Sequence, residues 1–281
     1  IFFSWVEFKI FLSVRERLLR EHLVRYAQLI IKGVKFVSKN DVEKVYNFII
    51  NNIQILNEDS SGANGFMFPN FDLYPKDYIK FAENQLRNIN NIESKINCIS
   101  NLKRAIDCQL DIFLYTLSLK KLVDNQNLGF NKKIRFIENI GIFNSRSLSK
   151  LNTIRNKMEH EYIIPEINDI EVYFDLVSAF ISNIEAVITV LYWDEKEYYT
   201  DEEDFKIKLM RKNVKEPRIE VIFNKFTEKE ESLVFDIKNR NSFFFVLRCI
   251  YLLNLKDAFA SEEYIKNSVK ESYKALIINS A

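Results

Sequence analysis

Residues 101–119 read NLKRAIDCQLDIFLYTLSL. Together with Ile99, the positions Leu102, Ile106, Leu110, Phe113 and Leu117 recur every three or four residues. On a helix this spacing places them on one apolar stripe. It predicts a helix from Glu93 to Val123, closed by Asn125–Asn131 with its Gly129. A short helix then covers Lys132–Ile140 and stops at Gly141, since glycine terminates helices readily. The next starts after Asn144 or Ser145, runs through Leu148, Leu151, Ile154 and Met158 to about Tyr162, and is ended by Pro165. A fourth begins near Asn168 or Asp169, both good N-caps, and carries Val177, Phe180, Ile181, Ile184, Ile188 and Leu191. Short connections between amphipathic helices favour antiparallel neighbours.

Towards the N-terminus the helical period also marks Val14–Phe36 and Asp41–Leu56, and Asn57–Asn70 with Gly62, Gly65 and Pro69 reads as a linker. Towards the C-terminus the period falls to two. Phe205, Ile207 and Leu209, then Ile219, Val221 and Phe223, then Leu233, Phe235 and Ile237 predict a three-stranded meander. Helices at Ser242–Leu255 and Ser261–Ile278 would cover its apolar face, because so small a sheet is not stable alone. The expected fold class is therefore mainly α: an antiparallel four-helix bundle preceded by N-terminal helices and followed by a small α+β unit. The expected domains are 1–70, 71–193 and 194–281.

With 47% hydrophobic residues, 24 Phe and 13 Tyr against 5 Gly and 4 Pro, the chain is globular and rich in regular structure. It opens on Ile1 and not Met, which points to a fragment or processed product. The apolar run Ile1–Leu12 is interrupted by Glu7 and Lys9 and falls far short of the roughly 20 residues a membrane span needs. It reads as a buried helix, with no stable membrane insertion. Three cysteines and no signal-peptide pattern point to a reducing, cytoplasmic setting. Cys98 and Cys108, ten residues apart on one helix, would stand about 15 Å apart and cannot pair. With only His22 and His160 beside them, no zinc set is formed. Phosphate-binding loops, dinucleotide fingerprints and nucleophile elbows are missing too.

The net charge of +1 conceals an uneven distribution. Residues 93–157 hold 12 Lys and Arg but 5 Asp and Glu, as a polyanion-binding surface requires, while Asp194–Asp204 is acidic and reads as a solvated connector. Within the basic stretch, Asn152, Arg155, Asn156, Glu159 and His160 share one polar arc of the third bundle helix, with Leu151, Ile154 and Met158 on its other side. Spacing alone proves little, because Arg17 also lies five residues before His22. The two pairs differ in the residue next to the arginine, apolar Leu18 in one and polar Asn156 in the other.

The runs LNTIRNKMEHEYIIP (151–165) and NLKRAIDCQLDIFLYTLSL (101–119) resemble the HEPN superfamily of prokaryotic helical nucleases and toxins. In that superfamily an Arg, a following polar residue and a His four to six positions on form the active motif. The resemblance covers roughly 100 residues. It implies that Arg155, Asn156 and His160 are catalytic, that Glu159 is secondary, and that two copies pair so that two motifs face one cleft. Tyr162, two residues after the His, matches the tyrosine that accepts AMP in toxins paired with a nucleotidyltransferase antitoxin. The implied partners are an RNA substrate, a second copy of the chain, and an antitoxin or nucleotidyltransferase.

The residue types suit metal-free RNA cleavage, with no cofactor. RNA carries its own nucleophile, the 2′-hydroxyl. An imidazole titrates near neutrality and can move the proton, and a guanidinium can brace phosphate oxygens through a planar fork of donors. The other expectation is a non-catalytic RNA-binding or protein-interaction module on the same helices.

Overall fold

The computed structural model describes residues 39–278 apart from 64, 66, 89, 121–128, 141–145, 165, 202, 203, 211–215, 225 and 226. The helices expected within Ile1–Leu12 and Val14–Phe36, and with them Arg17 and His22, lie outside the described residues, as do Gly141 and Pro165.

Among the described residues the chain forms eight helices and one five-stranded antiparallel sheet. In chain order these are α1 Lys39–Asn52, β1 Asn57–Gly62, α2 Pro75–Leu86, α3 Ile92–Thr116, α4 Phe130–Ile140, α5 Arg146–His160, α6 Ile167–Val190, β2 Glu195–Tyr199, β3 Asp204–Met210, β4 Arg218–Phe223, β5 Glu231–Asp236, α7 Arg240–Asn254 and α8 Glu262–Ile278. The sheet order is β1-β2-β3-β4-β5.

This corrects the expected fold class. The sheet is not a three-stranded meander appended to a helical protein: two further strands extend it. One is β1, whose residues read as linker in the sequence, and it pairs with β2 from Asn57↔Tyr199 to Gly62↔Glu195 across a bulge between Glu58 and Ser60. The other is β2, which falls in the stretch expected to be a solvated acidic connector. Its carboxylates instead face lysines across the strand pair: Lys206 reaches both Glu195 and Glu197, and Lys208 lies 2.5 Å from the other Glu195 oxygen. Burial pushes the Glu195 carboxyl up, but the hydrogen bonds and charges of Lys206 and Lys208 outweigh it and hold the group below the usual carboxylate range. Segments 39–62 and 195–278, expected to belong to separate domains, thus meet in one sheet-centred unit.

The apolar face of that sheet consists of Phe205, Ile207 and Leu209 from β3, Ile219, Val221 and Phe223 from β4, and Phe235 from β5, all buried. Helix α7 covers β4 and β5 with a run of buried residues from Phe243 to Leu253, and α8 packs on α7 and α1. From α1, Phe48 stacks on Phe205 at 4.5 Å between ring centroids and meets Phe223 edge-on at 5.3 Å. Tyr46 of α1 stacks on Tyr273 of α8 at 4.1 Å.

The helical layer is organised around α3. Asn91 caps it by accepting the Glu93 N–H at 2.9 Å, and the chain leaves it at Ser118, a left-handed residue (φ 59°). There Leu119 N–H donates to Leu114 O and Ser118 N–H to Tyr115 O, the paired bonds of a Schellman termination. This stop shortens the helix relative to the expectation of Val123. A helix not expected from the sequence, α2, starts at Pro75, has the Tyr74 N–H donating to the Asp77 carboxylate at 2.8 Å, and packs along α3. Helix α4 is fastened to α3 by charge. Buried Lys103 lies 2.5 Å from Asp107 and 3.6 Å from the centroid of Phe130, and Lys133 lies 2.6 Å from Asp111. Helix α6 is long and apolar enough to cross a membrane by composition, yet Ile170, Val177, Phe180 and Ile184 are buried in the protein core. The two layers share that core, since Phe136 of α4 meets Phe244 of α7 edge-on at 4.4 Å and Asn254 of α7 donates to the Trp193 carbonyl just beyond α6.

If α1 is integral to the sheet unit, Phe48→Ala will cost about 3–5 kcal/mol, the usual effect of removing a buried aromatic ring. Hydrogen exchange is the check: amides of β3 and β4 should lose protection together with those of α1, whereas a sheet that keeps its protection would detach α1 from the unit.

Candidate functional site

Helix α5 is the most polar of the bundle helices. It packs against α3 and α6, with Ile154 half-buried against the core. Its solvent side presents Arg146, Ser149, Lys150, Thr153, Asn156, Lys157 and His160, all exposed, and Asn152 is partly covered. The sequence dictates this polarity, since large apolar side chains are few among the fifteen residues of α5. Thr153 uses its hydroxyl locally, donating to Ser149 O at 3.0 Å.

The structure places Asn156 and His160 one turn apart on that exposed side, His160 being the last helical residue. The backbone of Arg155 and Glu159 belongs to the same helix, and on regular helical geometry Arg155 to His160 spans an arc of about 140°. The side chains of Arg155 and Glu159 lie outside the described atoms. Tyr162 is not on the helix, contrary to the expectation that α5 reaches it. The chain turns at Tyr162, which is left-handed (φ 58°) and 87% exposed. Glu161 N–H donates to Lys157 O at 2.8 Å and Ile163 N–H reaches the same carbonyl at 3.5 Å, so residues 161–163 fold back over the last turn. Ile163 and Ile164 come next, both exposed.

The motif sits at the C-terminal end of α5. Two concavities lie elsewhere in the described residues. One, of about 460 Å³, lies between α1 and the end of β4 and is lined by Asn47, Asn51, Phe48, Phe223 and Asn224. The other, of about 670 Å³, is lined by Gln54 and the α7–α8 connection around Phe259. Among the described residues no set of three or more His, Cys, Asp or Glu is arranged to hold a metal ion.

Competing nucleophiles are weak. Burial pushes the Cys98 thiol and the Cys249 thiol each up to about 12. Cys108 is pushed up to about 11 by burial, aided by Asp111, Asp77 and Asp107. No known family, curated protein or solved structure matches this chain. The likeness of residues 151–165 to the HEPN motif rests on those residues alone.

The thiols offer a direct check of the burial. With a pKa of about 12, roughly one thiol in ten thousand is ionised near pH 8, and the thiolate is the reactive form. Iodoacetamide should therefore leave Cys98 and Cys249 unmodified in the native protein and label them only after unfolding, as read by peptide mass spectrometry. Native labelling at the rate of a free thiol would put them at the surface.

Proposed function

We propose that the protein is a cytoplasmic, metal-independent endoribonuclease of a prokaryotic toxin–antitoxin or antiphage defence system, acting through Arg155 and His160 where two copies meet. The observation that supports this most directly is the shared exposure of Asn156 and His160 on the polar, cationic side of α5. An imidazole and an amide presented together to solvent contribute nothing to the core, whereas they suit a polyanion that must be approached, oriented and deprotonated.

In the proposed reaction the His160 imidazole of one copy accepts the proton of the 2′-hydroxyl. The O2′ attacks phosphorus and the P–O5′ bond breaks. The imidazolium of the other copy donates the proton that O5′ acquires and becomes neutral. The products are a 2′,3′-cyclic phosphate and a 5′-hydroxyl, so atoms and charge balance without an added water. Arg155 supplies the cation for the non-bridging oxygens as charge accumulates there, the kind of preorganised contact that stabilises the transition state more than the ground state. Asn156 orients the imidazole or holds a phosphate oxygen. Two copies supply two imidazoles, because one imidazole cannot be base and acid in the same step. Exposed Tyr162 is sterically open to the nucleotidyl transfer expected of an antitoxin partner.

The test is cleavage of a broad RNA panel by the purified dimer. His160→Ala should lower the rate by about 10²–10⁴-fold, the usual contribution of a positioned acid–base group. Arg155→Ala should lower it by about 10²–10³-fold. EDTA should change nothing, and end-group analysis should find cyclic phosphate. A wild-type dimer without activity on any RNA sinks the proposal, and equal activity of both variants would move the site off α5.

A further inference from the structure

We propose that Tyr162 is a base-stacking platform, receiving the face of an unpaired nucleotide next to the phosphate held at His160 and so restricting the site to single-stranded RNA. The proposal rests on the RNA-cleavage reading above and adds a substrate-binding residue to it.

Three observations converge on this ring. First, it does nothing for the fold: it is 87% exposed, and among the described residues no aromatic ring, hydrogen bond or ion pair engages it. Second, its position is one that a tyrosine occupies at a cost. At φ 58° a side chain with a Cβ is strained, and the residue just past a helix end that takes this conformation is ordinarily Gly or Asn. A large aromatic kept at a strained, solvent-facing position is an outlier of the kind that marks function. Third, the turn keeps it at the helix end. The bonds from Glu161 and Ile163 to the Lys157 carbonyl fold the chain back over the last turn of α5, leaving Tyr162 at the apex two residues beyond His160.

The surroundings select the ligand. Arg146, Lys150 and Lys157 are exposed along the same helix and can follow a phosphate backbone. An aromatic face at the end of a cationic track is the combination that binds single strands, since every unpaired base offers a face to stack while a paired one hides it in the helix. Ile163 and Ile164, next in the chain, are also exposed. A protein contact through Tyr162–Ile164 is the competing use of this surface, but it leaves the cationic track unexplained.

The experiment uses the full chain and a short 2′-O-methyl RNA strand, which cannot be cleaved, free or annealed to its complement. Wild-type protein should bind the single strand more tightly than the duplex. Tyr162→Gly should weaken single-strand binding by about 5- to 150-fold, the usual range for loss of one base–aromatic stack. It should melt no lower than wild type, because glycine suits the left-handed position. Tyr162→Phe should bind like wild type. Opposite effects of one substitution on stability and binding separate a binding role from a structural one. The proposal is overturned if Tyr162→Gly binds as wild type, if Tyr162→Phe loses as much as Tyr162→Gly, or if Tyr162→Gly lowers dimer association in sedimentation while RNA affinity per dimer is unchanged. In each case a wild-type protein that still cleaves RNA leaves the nuclease reading standing, and a wild-type protein that neither binds nor cleaves RNA removes both.

Discussion

Burial of α3 is the constraint on which the remaining helices depend. Cys98, Ile99, Leu102, Ala105, Ile106, Leu110, Phe113 and Leu114 are almost wholly removed from solvent, on positions that exceed any single stripe. One neighbour cannot cover so wide an apolar surface. Helices α2, α4, α5 and α6 all pack on α3, and each takes a sector of it. Helix α5 takes one of these sectors, and its described polar residues face water on the other side. The broad apolar face of α3 thus holds a peripheral helix by one side, and the candidate site is carried by that helix.

The sheet obeys a parallel logic with one face. Its inner residues need helices over them, and α7 with α1 provides these. Because α1 precedes the bundle in sequence and the sheet comes after it, the chain encloses its own helical layer between two halves of one sheet unit. That closure anchors both ends of 71–193, and α5 is held within it through α3 and α6. The charged clamp of Lys103 on Asp107 and Phe130 likewise ties α4 to α3.

Much of this was legible from residue order alone. The helical periods located α4 to α8 and the start of α3 closely, because their apolar residues recur at helical spacing, but the stop of α3 at Ser118 carried no such signal. The strands with Phe205, Ile219 and Phe235 were equally visible, since apolar and charged residues alternate there. The two missed strands had no such signal. β1 reads NEDSSG and is exposed along nearly its whole length, so no side-chain pattern reports it. In β2 the inward positions are Lys196 and Tyr198, and a buried lysine that reaches Glu58 at 2.5 Å looks like a surface charge in a string of letters. Both strands are specified by backbone pairing and long-range charge, which local sequence does not encode. At the site, the polar arc of α5 was readable, but the left-handed turn at Tyr162 was not, since nothing in EHEYII announces a residue that takes the conformation of glycine.

The polar, bulged character of β1 has a further meaning, because among the described residues it is the outermost strand on its side of the sheet. An outermost strand offers a row of free amides and carbonyls on which a stray chain can add itself, the first step of fibrous association. Here the register slips between Glu58 and Ser60, and Asp59 adds an exposed carboxylate. Both features make a continuous ladder of bonds to another strand hard to build. The segment that hid itself from pattern reading is, for the same reasons, an unattractive template.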